Sequence, residues 1–161
     1  MRPRTTPGRR SVRRVLLGCS ALAGCAITTL TPAAADTEWT GATSMDWFTA
    51  SNWNPNTVPS FDNVIIETAT PYAAAITAGT ADPVGLFIGR NATGTLTVSG
   101  SGTLANTGET RLGVNAGASG SLTVDGPHAL FSHGSTVYVG YGGTGTLNVI
   151  RGGVVDNALN S

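Results

Sequence analysis

His128 and His133 are the residues whose chemistry best suits metal binding or base catalysis. They lie five positions apart, and neutral imidazole serves both as a metal ligand and as a general base near neutral pH. The corresponding positions of the neighbouring segments carry Gly102, Thr107 and Ala158 instead of histidine. We therefore predict that both histidines lie at solvent-exposed corners and bind no metal.

Paired carboxylates are the other route to catalysis, because glycoside hydrolysis needs two of them at a defined separation. From residue 82 onward the acidic residues fall at different places in successive segments: Asp82, Glu109, Asp125 and Asp156. The sequence contains neither a nucleophile elbow nor a phosphate-binding loop. Its glycine-rich stretch 141–145 lacks the Asp of calcium-binding repeats. We predict no enzymatic activity, no cofactor and no metal site.

Three tryptophans, Trp39, Trp47 and Trp53, lie within fifteen residues of one another. One interpretation is a platform on which sugar rings stack. The other is a hydrophobic plug that buries large apolar rings at the end of a repetitive fold. We favour the plug, because turn-forming residues flank each tryptophan and no amide-rich or charged sugar-binding set accompanies them.

An export signal accounts for the first 35 residues. Six of the nine basic residues precede residue 15, an apolar stretch runs from Val15 to about Leu30, and Ala33-Ala34-Ala35 offers a cleavage site before Asp36. After cleavage there, three Arg would face nine Asp and Glu. The resulting net charge of −6 repels phosphate backbones, which argues against nucleic-acid binding.

The route of export and the fate of the two cysteines stay open at this point. Arg13-Arg14 resembles a twin-arginine signal, although an ordinary basic region with paired arginines is favoured. The stretch 22–25 resembles a lipobox, whose Cys25 would be lipidated and retained. We favour cleavage after Ala35, which removes Cys19 and Cys25 and leaves a mature chain without disulfide or thiolate chemistry.

From Pro83 onward the sequence repeats about every 25 residues. Gly-Thr-Leu-Thr-Val at 94–98 recurs with small changes at 120–124 and 145–149. Two further motifs, Ile88-Gly89 and Thr103-Leu104, recur with about the same spacing. Each unit holds three short β-type runs separated by Gly, Asn or Ser, and none has helical periodicity. The predicted fold is therefore an all-β solenoid with about one unit per turn.

Stacked turns place equivalent residues in ladders, and alternation sends neighbouring side chains to opposite faces. We predict four inward apolar ladders and one polar corner ladder: Leu96/Leu122/Leu147, Val98/Val124/Val149, Leu104/Leu130/Val155, Ile88/Leu112/Val139 and Asn106/Ser132/Asn157. Thr95/Ser121/Thr146 and Thr97/Thr123/Asn148 then form outward hydroxyl-rich columns. We interpret these as a soluble β-face in preference to the flat Thr array of ice-binding solenoids.

The motifs resemble a known class of surface proteins. Trp-x-Gly at 39–41, Asp-Trp at 46–47, Asn-Trp at 52–53 and Asp-x-Val-x-Ile at 62–66 precede the Gly-Thr-Leu-Thr-Val units. Together they resemble the passenger domains of bacterial autotransporters (type V secretion) and the related repeats of PEP-CTERM-associated surface proteins. The resemblance implies a right-handed parallel β-helix displayed outside a Gram-negative cell. It also implies a longer array with a C-terminal barrel or sorting anchor, of which this chain would be a fragment or a short relative.

The predicted organisation is a signal peptide at 1–35, a Trp-rich capping segment at 36–82 and three repeat units at 83–161. We expect a non-catalytic, structural or adhesin-like passenger segment at the cell surface or outer membrane, or secreted from it. Its expected partners are a host or neighbouring cell surface or an extracellular polysaccharide, with a membrane link only through a missing barrel or lipidated Cys25. The alternative is a fragment of a carbohydrate-active β-helix enzyme or a carbohydrate-binding surface protein. With three turns and no C-terminal cap, we expect marginal stability or association through the open end.

Overall fold

The structure is a computed structural model that describes residues 36–158. The predicted export signal at 1–35, with Cys19 and Cys25, lies outside the described residues, as do residues 159–161. The described chain is all-β, with one short 3-10 helix at Ala50–Asn52. In chain order its strands are β1 (Asp36–Trp39), β2 (Trp53–Asn54), β3 (Asn63–Ile66), β4 (Ala74–Ile76), β5 (Thr80–Ala81), β6 (Gly85–Ile88), β7 (Thr93–Ser99), β8 (Thr103–Asn106), β9 (Thr110–Leu112), β10 (Ser119–Asp125), β11 (Leu130–His133), β12 (Val137–Val139), β13 (Thr144–Ile150) and β14 (Val154–Asn157).

These strands stack into three sheets that run along the molecule. The first sheet has the order β12-β9-β6-β3-β1-β2, the second β13-β10-β7-β4 and the third β14-β11-β8-β5. Neighbours pair in parallel, except that β2 pairs antiparallel with β1. From β3 onward, each turn of the chain adds one strand to each sheet. The result is a β-solenoid of about five turns spaced by about 25 residues, which confirms the predicted fold class.

Alternation of apolar and polar residues builds the longest strands. In β7 and β10 every second residue is buried and the residues between them are partly exposed. Leu122 pairs with Leu96 on one side and Leu147 on the other. Val124 lies in the same way between Val98 and Val149. Both predicted ladders are therefore confirmed, as is the Ile88/Leu112/Val139 ladder of the first sheet.

The predicted ladder of the third sheet is wrong by one residue. Phe131, not Leu130, pairs with Leu104 and Val155, and its ring is fully buried. Four residues separate β10 from β11, whereas three separate β7 from β8 and β13 from β14. One additional residue in a turn moves every following side chain to the opposite face. This insertion therefore directs Phe131 inward.

Because of the same one-residue shift, the predicted polar corner ladder is also wrong at its middle position. His133, not Ser132, occupies the position paired with Asn106 and with Asn157. Asn106 is buried. Its amide donates to the carbonyl oxygen of Val84 at 2.8 Å, and its Oδ1 accepts from Thr110 Oγ1 at 3.1 Å. The side chain therefore satisfies backbone and hydroxyl groups at this corner, which limits the cost of burying it.

The recognisable repeat starts at Pro83, but the strands of the solenoid begin earlier in the chain. Strand β3 pairs with β6, β4 with β7 and β5 with β8, all in parallel. Segment 36–82 therefore supplies strands to all three sheets in addition to the Trp-rich region. The expectation of marginal stability assumed a core of only three turns. The earlier strands enlarge that core with fully buried residues such as Val64, Ile66 and Ile76.

Candidate ligand-binding surfaces

The Trp-rich region is a buried plug. Trp39, Trp47 and Trp53 are at most 1% exposed. Trp53 makes edge-on contacts with both other rings, at centroid distances of 4.9 and 4.7 Å, the geometry that aromatic pairs prefer. The Trp53 indole N–H donates to the carbonyl oxygen of Trp47 at 2.7 Å. These rings present no open face on which a sugar could stack, so the plug interpretation describes them correctly.

The two histidines occupy different environments. His128 is exposed in the turn between β10 and β11, as predicted. For His133 the prediction of a solvent-exposed corner position is wrong, because the residue lies within β11 and is partly buried. Its ring packs against Phe131 at a centroid distance of 5.5 Å, and its Nδ1 lies 2.8 Å from the carbonyl oxygen of Ser135. The His133 side chain therefore contributes to a corner of the fold.

The acidic residues of the repeats are spread over different elements. Asp125, at the end of β10, forms an ion pair with Arg151 of the next turn, and Glu109 forms one with Arg111. The hydrogen bond and negative charge of Asp125 raise the pKa of Arg151 above its ordinary value. Among residues 36–158 there is no pocket and no group of three or more His, Cys, Asp or Glu side chains placed to hold a metal ion.

The outer face of the first sheet carries a cluster that we call the aromatic–arginine patch: Phe87, Arg111, Tyr138 and Tyr141. The first three occupy equivalent positions on β6, β9 and β12. The Arg111 guanidinium carbon lies 5.8 Å from the Phe87 ring centre, 5.7 Å from that of Tyr138 and 4.4 Å from that of Tyr141. These distances fall in the range of cation–π attraction.

The patch combines charge with accessible aromatic surface. Tyr138 and Tyr141 meet edge-on at 5.1 Å, and Tyr141 is 50% exposed. Arg111 pairs with Glu109, while its Nε atom is buried and has no hydrogen-bond partner. Flat aromatic faces beside a guanidinium and a carboxylate can stack on a ring and bind its polar substituents. The sequence alone did not indicate this cluster, although Phe87, Arg111 and Tyr138 each precede a residue of the predicted Ile88/Leu112/Val139 ladder.

The outer face of the second sheet is rich in hydroxyl groups. The predicted columns Thr95/Ser121/Thr146 and Thr97/Thr123/Asn148 are in register, and Thr93/Ser119/Thr144 forms a third column beside them. Neighbouring strands lie about 4.8 Å apart, and alternate residues of a strand lie about 6.6 Å apart. The face is therefore a regular array of small polar side chains, which fits the interpretation of a soluble β-face.

Strands β12, β13 and β14 form the last turn of the described residues. These strands are the final members of their sheets. Most of the exposed aliphatic side chains of the described chain lie here, each between 43% and 49% exposed: Val139, Val149, Ile150 and Val154. In the earlier turns the equivalents of Val139 and Val149 are fully buried, as Leu112 and Val124 show.

Comparison with known proteins gives no assignment: no family, no curated protein and no solved structure matches this chain. No helix within residues 36–158 is long and apolar enough to span a membrane.

Proposed function

We propose that this chain is a non-catalytic structural or adhesin-like passenger segment of an exported bacterial surface protein of the autotransporter type. The observation that supports the proposal is the five-turn stack, which lines up outward side chains in columns. Such columns form broad, flat surfaces suited to extended partners such as a cell surface or an extracellular polysaccharide. Repeat solenoids commonly use surfaces of this kind for binding.

Export is the part of the proposal that can be tested first. The gene is expressed in a Gram-negative host, and the periplasmic, outer-membrane and secreted fractions are analysed by intact mass spectrometry. We expect a chain that begins at Asp36, cut after the small-residue site. A diacylglyceryl group on Cys25 would contradict this cleavage and assign the chain to lipid-anchored proteins. Retention of the whole precursor in the cytoplasm would contradict export itself.

Carbohydrate binding is a second candidate function, and the aromatic–arginine patch favours it. Tyr141 offers a half-exposed ring beside Arg111. Sugar rings stack their C–H faces on aromatic side chains, and charged groups at the edge bind hydroxyls or carboxylates. The partner would be an extracellular polysaccharide.

The purified chain can be tested against immobilised neutral and uronic-acid polysaccharides. We expect Tyr141→Ala to reduce binding at least tenfold. Tyr72→Ala is the matched control, because Tyr72 is similarly exposed at 43% and lies outside the patch. Equal binding by the two variants would exclude the patch as the binding surface.

A further inference from the structure

We propose that the aromatic–arginine patch selects neutral polysaccharides over acidic ones, so that its ligand is a chain of uncharged sugars. The inference rests on the carbohydrate-binding function proposed above and names the class of sugar that the patch accepts. Aromatic rings stack on the C–H face of neutral and acidic sugars alike, so the rings alone do not discriminate by charge. The charges within and around the patch therefore decide which sugars bind.

Tyr141 is the ring that offers a face to such a sugar. Its ring lies against Arg111, which belongs to the preceding turn, and Tyr138 meets it edge-on at 5.1 Å. The ring is thus held over the outer face of the first sheet, and the residue is 50% exposed. The phenol hydroxyls of both tyrosines are uncharged at neutral pH and both donate and accept hydrogen bonds. Stacking and neutral hydrogen bonding are therefore available to a sugar without any charge attraction.

Arg111 is the cation of the patch, and its charge is already engaged by groups of the protein. The guanidinium carbon lies 4.4 Å from the ring centre of Tyr141, and it also contacts the rings of Tyr138 and Phe87. The same guanidinium forms an ion pair with Glu109, and its Nε atom is buried. A sugar carboxylate would have to compete with Glu109 and Tyr141 to make a close, charge-assisted contact with Arg111.

Glu109 is the more accessible member of this ion pair. Its side chain is 40% exposed, against 27% for that of Arg111. An approaching carboxylate therefore meets the anion more readily than the cation, and like charges brought together at a binding surface exclude the wrong partner. A sugar hydroxyl has no such cost, because it donates a hydrogen bond to the Glu109 carboxylate. The pair thus favours sugars that bear hydroxyl groups and no charge.

The charges outside the patch strengthen this preference. After residue 35 the chain carries three arginines, no lysine and nine acidic residues, a net charge of −6. The two arginines outside the patch are also paired, Arg90 with Glu67 and Arg151 with Asp125. No arginine of the described chain is therefore left without an acidic partner. A polymer with a carboxylate on each sugar would be repelled along the length of the protein that it contacts.

Matched polymers that differ only in their carboxylates test the selectivity. Polygalacturonic acid and alginate are each immobilised beside their carboxyl-reduced forms, and carboxymethyl-dextran is immobilised beside dextran. We expect the purified chain to bind a neutral polymer at least tenfold more tightly than its acidic counterpart at low salt. The difference should shrink in about 0.5 M NaCl, because screening weakens the repulsion. Equal or tighter binding to the acidic form would overturn the selectivity and leave carbohydrate binding intact, whereas binding to none of the polymers would overturn both.

Removal of the Glu109 charge tests the cause of the selectivity. Glu109→Gln keeps the size of the side chain and frees the charge of Arg111, so the ratio of neutral to acidic affinity at low salt should fall at least threefold. Asp125→Asn is the matched control, because it removes a carboxylate from an arginine pair outside the patch and changes the net charge equally. We expect that control to keep the ratio of the unchanged chain. An equal fall in both variants, or no fall in Glu109→Gln, would overturn the patch as the source of the selectivity.

Discussion

Leu122 lies directly between Leu96 and Leu147 of the adjacent turns and is fully buried, whereas the next residue, Thr123, faces outward. Leu122→Asp would place an unpaired carboxylate inside the core and should lower the free energy of unfolding by about 3–5 kcal/mol. Thr123→Asp should change it by less than about 1 kcal/mol. Urea unfolding followed by circular dichroism measures both. Equal losses would mean that the alternation of β10 is misassigned.

Phe131 and Leu130 offer the same comparison in the third sheet. Phe131 is fully buried beside Leu104, and Leu130 is partly exposed on the other face. Phe131→Ala should cost about 3–5 kcal/mol because it leaves a large cavity. Leu130→Ala should cost about 1–2 kcal/mol, since part of its surface stays in water. A larger loss of stability for Leu130→Ala than for Phe131→Ala would instead support the register predicted from the sequence, in which Leu130 faces inward.

The repeat predicts the fold well wherever strands are long and their motifs recur. The seven-residue strands β7, β10 and β13 share Gly-Thr-Leu-Thr-Val or a close variant, so their register follows from alignment of the motif. Prediction fails in the third sheet because the additional turn residue before Leu130 changes no recognisable motif. The short strand β3 was not recognised as part of the stack, since Asn63–Ile66 lacks the repeat pattern although its side chains fit the same ladder.

The aromatic–arginine patch was not predictable in the same way. Its strand positions hold Phe87, Arg111 and Tyr138, three unlike side chains that no repeat pattern groups together. Tyr141 joins them from the corner after β12, where chain direction depends on the turn and not on alternation. Only the pairing of successive strands shows that these residues meet. Residues that share a ladder can therefore be predicted from the sequence, whereas contacts between a ladder residue and a corner residue cannot.

Gly120 explains why glycine begins each Gly-Thr-Leu-Thr-Val unit. A Cβ atom there would lie 1.9 Å from the carbonyl oxygen of Ile88 and 2.5 Å from the backbone nitrogen of Gly113. Gly126 has a φ of +106°, but a Cβ there would meet nothing within 4 Å. Gly126→Ala should therefore cost about 1–3 kcal/mol of backbone strain.

Gly120→Ala should cost at least about 2 kcal/mol more than Gly126→Ala, because the backbones of adjacent turns would have to separate. Thermal and urea unfolding of the two variants give the comparison, and Ser119→Ala serves as a control at a partly exposed neighbouring position. Similar stabilities for Gly120→Ala and Gly126→Ala would show that the turns do not approach as closely as the structure has them.

The hydrogen bonds of Asn52 hold the Trp-rich end together. Its fully buried side chain accepts from the backbone N–H groups of Thr43 and Ser44, each at 2.9 Å. Its amide donates to the carbonyl oxygen of Asp46 at 2.8 Å. An aspartate at this position would put an accepting oxygen in place of the amide group that donates to Asp46 and Ser44, and it would bury a charge. Asn52→Asp should therefore destabilise the end by about 3 kcal/mol or more.

Tryptophan fluorescence gives a local measurement of this change, because all three tryptophans of the chain belong to the same end. We expect Asn52→Asp to shift the emission to longer wavelength and to lower the unfolding midpoint seen by fluorescence. Asn54→Asp is the matched control, since Asn54 is exposed two residues further along and the same change there leaves the charge in water. Fluorescence that stays unchanged in Asn52→Asp, or shifts equally in both variants, would show that the Asn52 hydrogen bonds do not hold the tryptophans in place.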